Sequence, residues 1–243
     1  MASSSQLAGR VAVVTGGSRG IGAAVATALL AQGSDVVICG RSAASLAQAR
    51  GWPSAADAGR LDTVEADVGD AGQAQRVIDR AVERFGGLDI LVNNAGVGRF
   101  GEDLAATSVE NWRTVIDTNL NGVFYCCRAA VPALRRRGGG WIINVSSLAG
   151  SHPFAGAAAY CASKAAVNAL SAALMQEVRH EAIRVSCVAP GSVDTRFTSG
   201  PAADTAWKLT ADNVAQAVVD LLRHEPRSLP SYLEIRPARP RRK

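Results

Sequence analysis

Tyr160 and Lys164 lie four residues apart in Tyr160-Cys161-Ala162-Ser163-Lys164, at the start of a stretch with helical character. That spacing puts a phenol and an ammonium group on one helix face, a turn apart. A phenol with a pKa near ~10 is a poor acid–base catalyst at neutral pH. A cation beside it favours the phenolate and lowers that value. The chain holds three lysines, Lys164, Lys208 and Lys243, against 23 arginines. Arginine therefore serves most charged surface roles, and a lysine in mid-chain points to a specific need. Ser147 precedes Tyr160 by thirteen residues in Asn144-Val145-Ser146-Ser147, just beyond an apolar run. A hydroxyl there can hydrogen-bond a carbonyl oxygen. Asn93-Asn94-Ala95-Gly96 ends another apolar run, and Asn119 stands mid-helix, where asparagine is unfavourable unless its side chain has a task. Pro190-Gly191 follows a further run, with Thr195 four residues on.

A glycine-rich turn supplies a second kind of chemistry. Thr15-Gly16-Gly17-Ser18-Arg19-Gly20-Ile21-Gly22 follows the first predicted strand and opens the first predicted helix. Glycines there let the backbone turn tightly and approach a pyrophosphate, which then sits at the positive end of the helix. The spacing is TGxxxGxG rather than GxGxxG. An NAD site places an acid at the end of the second strand for the ribose hydroxyls. Here that strand ends Cys39-Gly40-Arg41-Ser42. Arg41 suits a 2′-phosphate, Arg19 can add a second guanidinium, and NADP(H) is the expected cofactor. Asp67, after the third strand, is placed to reach the adenine.

The elements that must position these groups alternate along the chain. Predicted strands are Arg10–Thr15, Asp35–Cys39, Leu61–Ala66, Leu88–Val92, Trp141–Val145, Arg184–Val188 and, more weakly, Ser231–Ile235. Predicted helices are Gly20–Gln32, Ala71–Phe85, Thr107–Arg137, Ala158–His180 and Ala211–His224. The strands are continuous apolar runs, as in parallel strands covered on both faces. The expected fold is α/β: a doubly wound Rossmann fold, a seven-stranded, mostly parallel sheet with helices on both faces. Thr107 and Glu110 make a plausible capping box. Arg135–Arg137 before three glycines reads as a helix C-terminus. Gly51–Gly59 is read as a surface loop carrying Trp52. With no long linker and no internal repeat, residues 1–243 read as one domain.

Composition excludes other classes. The net charge is +5, from 26 basic and 21 acidic side chains. Five of the basic groups, Arg236, Arg239, Arg241, Arg242 and Lys243, fall in a terminal segment, 236–243, without an acid. The body is therefore neutral, the segment reads as a solvated tail, and no nucleic-acid partner is expected. Hydrophobic residues make up 48% of the chain, yet no run reaches the ~18 apolar residues of a membrane span. The first residues lack the pattern of a signal peptide. Cys39, Cys126, Cys127, Cys161 and Cys187 have no CxxC spacing and sit in apolar segments, so they read as small buried hydrophobes. With His152, His180 and His224 scattered, no metal is expected. A cytoplasmic location follows from that cysteine usage.

The set TGGSRGIG, NNAG, Asn119, Ser147, Tyr160-x-x-x-Lys164 and Pro190-Gly191, over roughly residues 9 to 196, resembles the short-chain dehydrogenase/reductases, in their short single-domain branch. The resemblance implies that Tyr160 donates a proton to a carbonyl oxygen and that Lys164 binds the nicotinamide ribose and depresses the tyrosine pKa. It implies that Ser147 holds the carbonyl and that Asn119 holds a water in a proton relay. The dinucleotide would be lined by Gly16, Ser18, Arg19, Gly20, Ile21, Gly22, Arg41, Ser42, Asp67, Val68, Asn93, Ala95 and Gly96. Tyr160, Lys164, Pro190, Gly191, Val193 and Thr195 would complete its site, with Thr195 on the carboxamide. Residues 197–209 form a short substrate lid in which Gly200-Pro201-Ala202-Ala203 looks mobile. A short lid suggests an open pocket that admits a bulky or carrier-borne ketone. Its candidate lining, besides Ser147 and Tyr160, is Ala149, His152, Phe154, Ser192, Phe197 and Trp207. Many members end in a glycine-rich strand such as VDGG; this chain ends Tyr232-Leu233-Glu234-Ile235-Arg236-Pro237 instead, which weakens substrate assignment by analogy.

The expected activity is NADPH-dependent reduction of a ketone or other carbonyl. The alternatives are an NADP-linked alcohol dehydrogenase running in the oxidising direction and a catalytically silent, cofactor-binding regulator. Intact Ser147, Tyr160 and Lys164 argue against the last. Thr107–Arg137 and Ala158–His180 carry more apolar positions than one sheet face needs, and in this family such helices pair across a dimer face. A homodimer or homotetramer is expected, and no membrane partner.

Overall fold

The computed structural model describes residues 7–52, 58–195, 197 and 205–239. Its strands are β1 (Val11–Thr15), β2 (Asp35–Gly40), β3 (Leu61–Glu65), β4 (Ile90–Asn93), β5 (Gly140–Val145), β6 (Ile183–Pro190) and β7 (Tyr232–Ile235). They form one sheet in the order β3-β2-β1-β4-β5-β6-β7. Each of the six neighbouring pairs is parallel, so the expected "mostly parallel" sheet is parallel throughout the described residues. The helices are α1 (Gly20–Ala31), α2 (Ala43–Ala49), α3 (Ala71–Phe85), α4 (Val109–Ile116), α5 (Gly122–Arg136), α6 (Ala158–Val178) and α7 (Ala211–Leu222). This is the doubly wound Rossmann arrangement.

Why the strands are continuous apolar runs is visible residue by residue. In β1, Val11 and Val13 face one core and Ala12 and Val14 the other. The same alternation sends Val37 and Cys39 to the first core and Val36 and Ile38 to the second. The first core is roofed by Val77 and Ile78 of α3, Cys126 and Ala130 of α5, and Val167 of α6. The second is roofed by Val25 and Leu29 of α1, Leu46 of α2, and Val214 and Val218 of α7. A strand covered on both sides has no polar register to keep. The terminal strands are the exception: β7 alternates exposed and partly buried residues, as an edge with one covered face must.

Several local expectations change. The helix predicted over Thr107–Arg137 begins at Val109 and is capped by Ser108, whose side chain accepts from Asn111 N, not by a Thr107–Glu110 box. Thr107 instead donates its hydroxyl to the Asp103 carbonyl. A true capping box sits at Thr210 and Asn213, ahead of α7. Between α4 and α5 the helix widens into a π turn over Asp117–Asn121. α2 went unpredicted, and Trp52 is not a surface residue but packs partly buried on the second core. The arginines at the end of α5 do more than cap it: Arg135 pairs with Glu181 and Arg137 with Asp89. All five cysteines are free and buried.

Asp89 anchors the edge of the sheet opposite the strands' carboxyl ends. Its carboxylate accepts from Val11 N, Arg10 Nη1 and Arg137 Nη2, each at 2.9 Å, while its backbone joins β1 and β5. Burial alone would raise this carboxyl's pKa. The Arg137 guanidinium, the Val11 N–H and Arg10 more than offset that and hold it below the ordinary range. The contribution is therefore complete above the unfolded value of about 3.9 and is lost as pH falls through the lower folded value. Asp89→Ala is expected to destabilise the fold by about 3 kcal/mol, because both arginines stay partly solvated and soften the usual cost of breaking a buried pair. Urea unfolding at pH 7 and pH 3 checks this: the gap between wild type and variant must narrow at the lower pH.

Candidate active site

The strand order reverses between β1 and β4, and a cleft opens where the loops after these strands diverge. Asn94 spans it. Its side-chain amide donates to the carbonyls of Thr15 (3.0 Å) and Gly16 (3.2 Å), and its N–H donates to Thr15 Oγ1 at 3.0 Å. Thr15 Oγ1 also accepts from Ala95 N. The two loops are thus locked together. Gly16 (φ +62°) allows the close approach, since a Cβ on it would stand 2.9 Å from Ala95 Cα. Gly17 N donates to Cys39 O, which docks the turn on the end of β2.

Beyond this turn α1 begins with no side chain capping it and no acid in its first turn. Its leading N–H groups face an anion-sized demand that the chain itself does not meet. Thr195 closes over the turn, with its methyl 3.5 Å from where a Cβ on Gly20 would lie. Ser18 Oγ stands 3.3 Å from the corresponding point on Gly40, at the end of β2. Arg19 and Arg41 are exposed at the same edge. Arg41 Nη1 lies 3.7 Å from an Asp67 carboxylate oxygen, and both side chains are well solvated. Asp67 is no helix cap: Asp70 caps α3, while Asp67 accepts from Gly69 N. Ser42 is committed locally as the N-cap of α2. Ile21 packs against the second core and Val68 is buried in the first, against Gly122.

Ser147, Tyr160 and Lys164 converge beyond β5. Ala149 N donates to Ser147 Oγ at 3.1 Å, and the serine side chain lies near enough to the Tyr160 phenol to oppose its upward shift. Lys164 Nζ sits 5.8 Å from the centre of the Tyr160 ring and donates to the Val145 carbonyl at 2.9 Å. Burial raises the Tyr160 pKa, and Ser147 only partly opposes it. Burial also pushes Lys164 down to about 8. In the protein without dinucleotide, desolvation therefore sets the direction for both groups, raising the phenol and lowering the lysine. The phenol is held as the protonated, donating form.

Asn119 belongs to the π turn and is fully buried. Its Oδ1 accepts from Val97 N (2.8 Å), and its amide donates to Val97 O (2.9 Å) and Ser163 Oγ (3.0 Å). Both amide hydrogens are therefore committed, and the side chain fixes the loop after β4. The side chain thus has the task that its unfavourable mid-helix place called for, and π turns often mark such places. Gly96 lies between the two: a Cβ there would be 3.4 Å from Asn119 Oδ1 and 3.8 Å from Lys164 Nζ.

Other expected positions scatter. Asn93 turns away from the cleft into the core, donating to Asn144 Oδ1 (2.9 Å) and Cys127 Sγ (3.3 Å). Its neighbour Asn94 takes the cleft position; NNAG contains both, and strand alternation decides which side chain faces out. Pro190 ends β6, Gly191 N donates to Ile235 O, and Ser192 and Val193 pair with Leu209. Ala149 packs with Tyr160, Ala157 and Cys161. Phe197 approaches the Tyr160 ring, and so does Phe100, which was not among the expected residues; Phe154 stacks on Phe100. His152 lies in the same loop, exposed, 3.5 Å from Arg236 Nη2. Trp207 is partly buried and stacks on none of these rings among the described residues. Of the lid, 198–204 lie outside the described residues, as do 240–243 of the basic tail; Arg236 pairs with Glu234. No described helix is long and apolar enough to cross a membrane.

Comparison with known proteins converges on one family. A short chain dehydrogenase family model matches residues 10–205. A 2,5-dichloro-2,5-cyclohexadiene-1,4-diol dehydrogenase of Sphingobium indicum is 38% identical over 209 residues, covering 85% of this chain and 82% of that one. An oxidoreductase of Staphylococcus epidermidis is 36% identical over 213 residues, covering 86% and 89%. A Burkholderia cenocepacia short chain dehydrogenase, solved in complex with NADP, superposes with a TM-score of 0.84 at 34% identity, covering 95% of this chain and 98% of that one. The chain that brings the Tyr–Lys pair, the serine and the locked glycine turn to one cleft therefore belongs to the short-chain dehydrogenase family of oxidoreductases.

Proposed function

We propose that the protein reduces a ketone to the secondary alcohol at the expense of NADPH. The observation that carries the reading is the buried Tyr160 phenol with Lys164 Nζ 5.8 Å from its ring centre and Ser147 at the end of the neighbouring strand β5. The chain's own groups fit a dinucleotide there: an uncapped α1 without a first-turn acid, the locked glycine turn and Thr195 over it. Ser18, Arg19 and Arg41 surround the end of β2, where an NAD site carries an acid. The NADP bound by the Burkholderia relative supports the same preference.

When bound, the dinucleotide supplies the hydride. Ser147 donates a hydrogen bond to the substrate carbonyl oxygen and polarises it. Tyr160 Oη gives its proton to that oxygen as negative charge develops there. Lys164, close under the ring, compensates the phenolate left behind, and its value near 8 keeps it mostly charged at pH 7. Asn119 and Asn94 hold the loop after β4 still while this happens. Preorganised donors of this kind cost no rearrangement at the moment of reaction.

The diol dehydrogenase relative favours a second reading, oxidation of an alcohol with NADP+. A panel of ketones with NADPH, and of the matching alcohols with NADP+, read by dinucleotide absorbance, separates them. Turnover of NADPH with ketones at neutral pH is the expected result; absorbance that changes in neither direction with any pair would leave a silent binder. Val109 and Trp112, three residues apart and exposed on α4, together with exposed Phe124 on α5, support a homo-oligomer, which sedimentation would measure.

A further inference from the structure

Three phenylalanines from three different loops form one ring cluster with Tyr160: Phe100 and Phe197 touch its ring, and Phe154 joins through Phe100. Phe100 follows β4, Phe154 follows β5 and Phe197 follows β6. The Phe100 and Phe197 ring centres lie 5.2 and 5.8 Å from that of Tyr160, tilted by 69° and 54°. Phe154 lies nearly parallel to Phe100 at 6.3 Å, and Phe197 stands 6.1 Å from Phe100. Yet the three are 36%, 54% and 40% exposed. Single exposed apolar residues are ordinary; a contiguous group of rings in water beside reacting atoms is not.

The cluster is built by the backbone beneath it. Gly98 leaves the space the rings fill: a Cβ on it would stand 2.3 Å from Phe100 Cε2 and 2.9 Å from Phe197 Cε1. Gly101 N donates to Gly156 O at 2.9 Å, so the loops carrying Phe100 and Phe154 are tied together. Among the described residues no cation stands over the faces of Phe100, Phe154 or Phe197, while Tyr160 has Lys164 behind it. Arg236, which reaches His152 in the Phe154 loop, already has its charge matched by Glu234 at 2.7 Å. A charged or phosphorylated substrate arm would lose water against these phenyl faces. A flat apolar ring gains edge and face contacts from all three phenylalanines.

We propose that the substrate carries a neutral aromatic or six-membered alicyclic ring directly beside the reacting carbon, and that Phe100, Phe154 and Phe197 read that ring. The inference rests on Tyr160 as the reacting proton donor and replaces the expectation of a carrier-borne ketone.

The test compares acetophenone, 2-octanone, which has the same number of carbons, and acetoacetyl coenzyme A, each with NADPH. Acetophenone should show a kcat/KM at least about tenfold above 2-octanone, the scale of one good aromatic contact set. Phe100→Ala/Phe154→Ala should shrink that advantage to within about threefold. Equal values for the two ketones, preference for the thioester, or an advantage that survives in the double variant each overturn the inference while leaving a ketone reductase intact. If nothing turns over, saturation-transfer NMR of acetophenone on NADP+-loaded protein decides. Binding in the wild type that the double variant loses upholds ring recognition though the reductase reading has failed. Absence of binding overturns it.

Discussion

Tyr160→Phe is expected to bind NADPH with near-normal affinity and to lose at least about 1,000-fold in kcat. The change deletes one oxygen from a ring that is only 9% exposed and otherwise packs against Ala149, Ala157 and Cys161. Those contacts stay, so the fold loses little, about 1 kcal/mol for the polar contacts of one hydroxyl. What goes is the proton that Tyr160 transfers to the carbonyl oxygen, and a positioned general acid is worth about 100- to 10,000-fold. Since burial holds this phenol above its ordinary value, the wild type keeps its donor well into the alkaline range, and reduction falls only as pH rises through that raised value. Single-turnover kinetics alongside dinucleotide binding by fluorescence separates the two effects. A variant within tenfold of the wild-type kcat would sink the mechanism.

Arg41→Asp carries the second large effect. In the free protein Arg41 faces Asp67 at 3.7 Å with more than half its side chain in solvent, an ion pair of small worth. Its guanidinium is free to turn to a stronger partner, and a phosphate offers two charge-assisted hydrogen bonds. Aspartate there removes those bonds and sets a second carboxylate beside Asp67. Affinity for NADPH should drop about 100-fold, since bonds to charged groups are worth about 1.5–3 kcal/mol. Affinity for NADH, which has no phosphate at that position, should hold or rise. Calorimetric titration with both dinucleotides checks it, and equal losses would refute the phosphate role of Arg41.

Much of this site was legible because its signals are local. The Tyr160–Lys164 spacing, the glycine turn and the missing acid after β2 each lie within a few residues of chain, and the apolar runs announced a sheet covered on both faces. Phe100 was not legible: its partners come from the loops after β5 and β6, and no spacing links it to Phe154 or Phe197. Asn93 and Asn94 were confused because the strand's end decides which side chain faces the core. α2, seven residues of mostly alanine, has too little periodicity to declare itself. Nor does sequence show how deeply Tyr160 and Lys164 are buried, and that depth sets the direction of both shifts in the free protein.

The placement of Asp89 bears on how new specificities arise on this scaffold. The ion cluster that binds β1, β4 and β5 stands at one end of the sheet, and Phe100, Phe154 and Phe197 project from loops at the other. Changes to the ring-reading loops therefore spare the contacts that hold the strands in register. Evolution, natural or directed, can trade one substrate for another at the open end while the closed end keeps the protein folded.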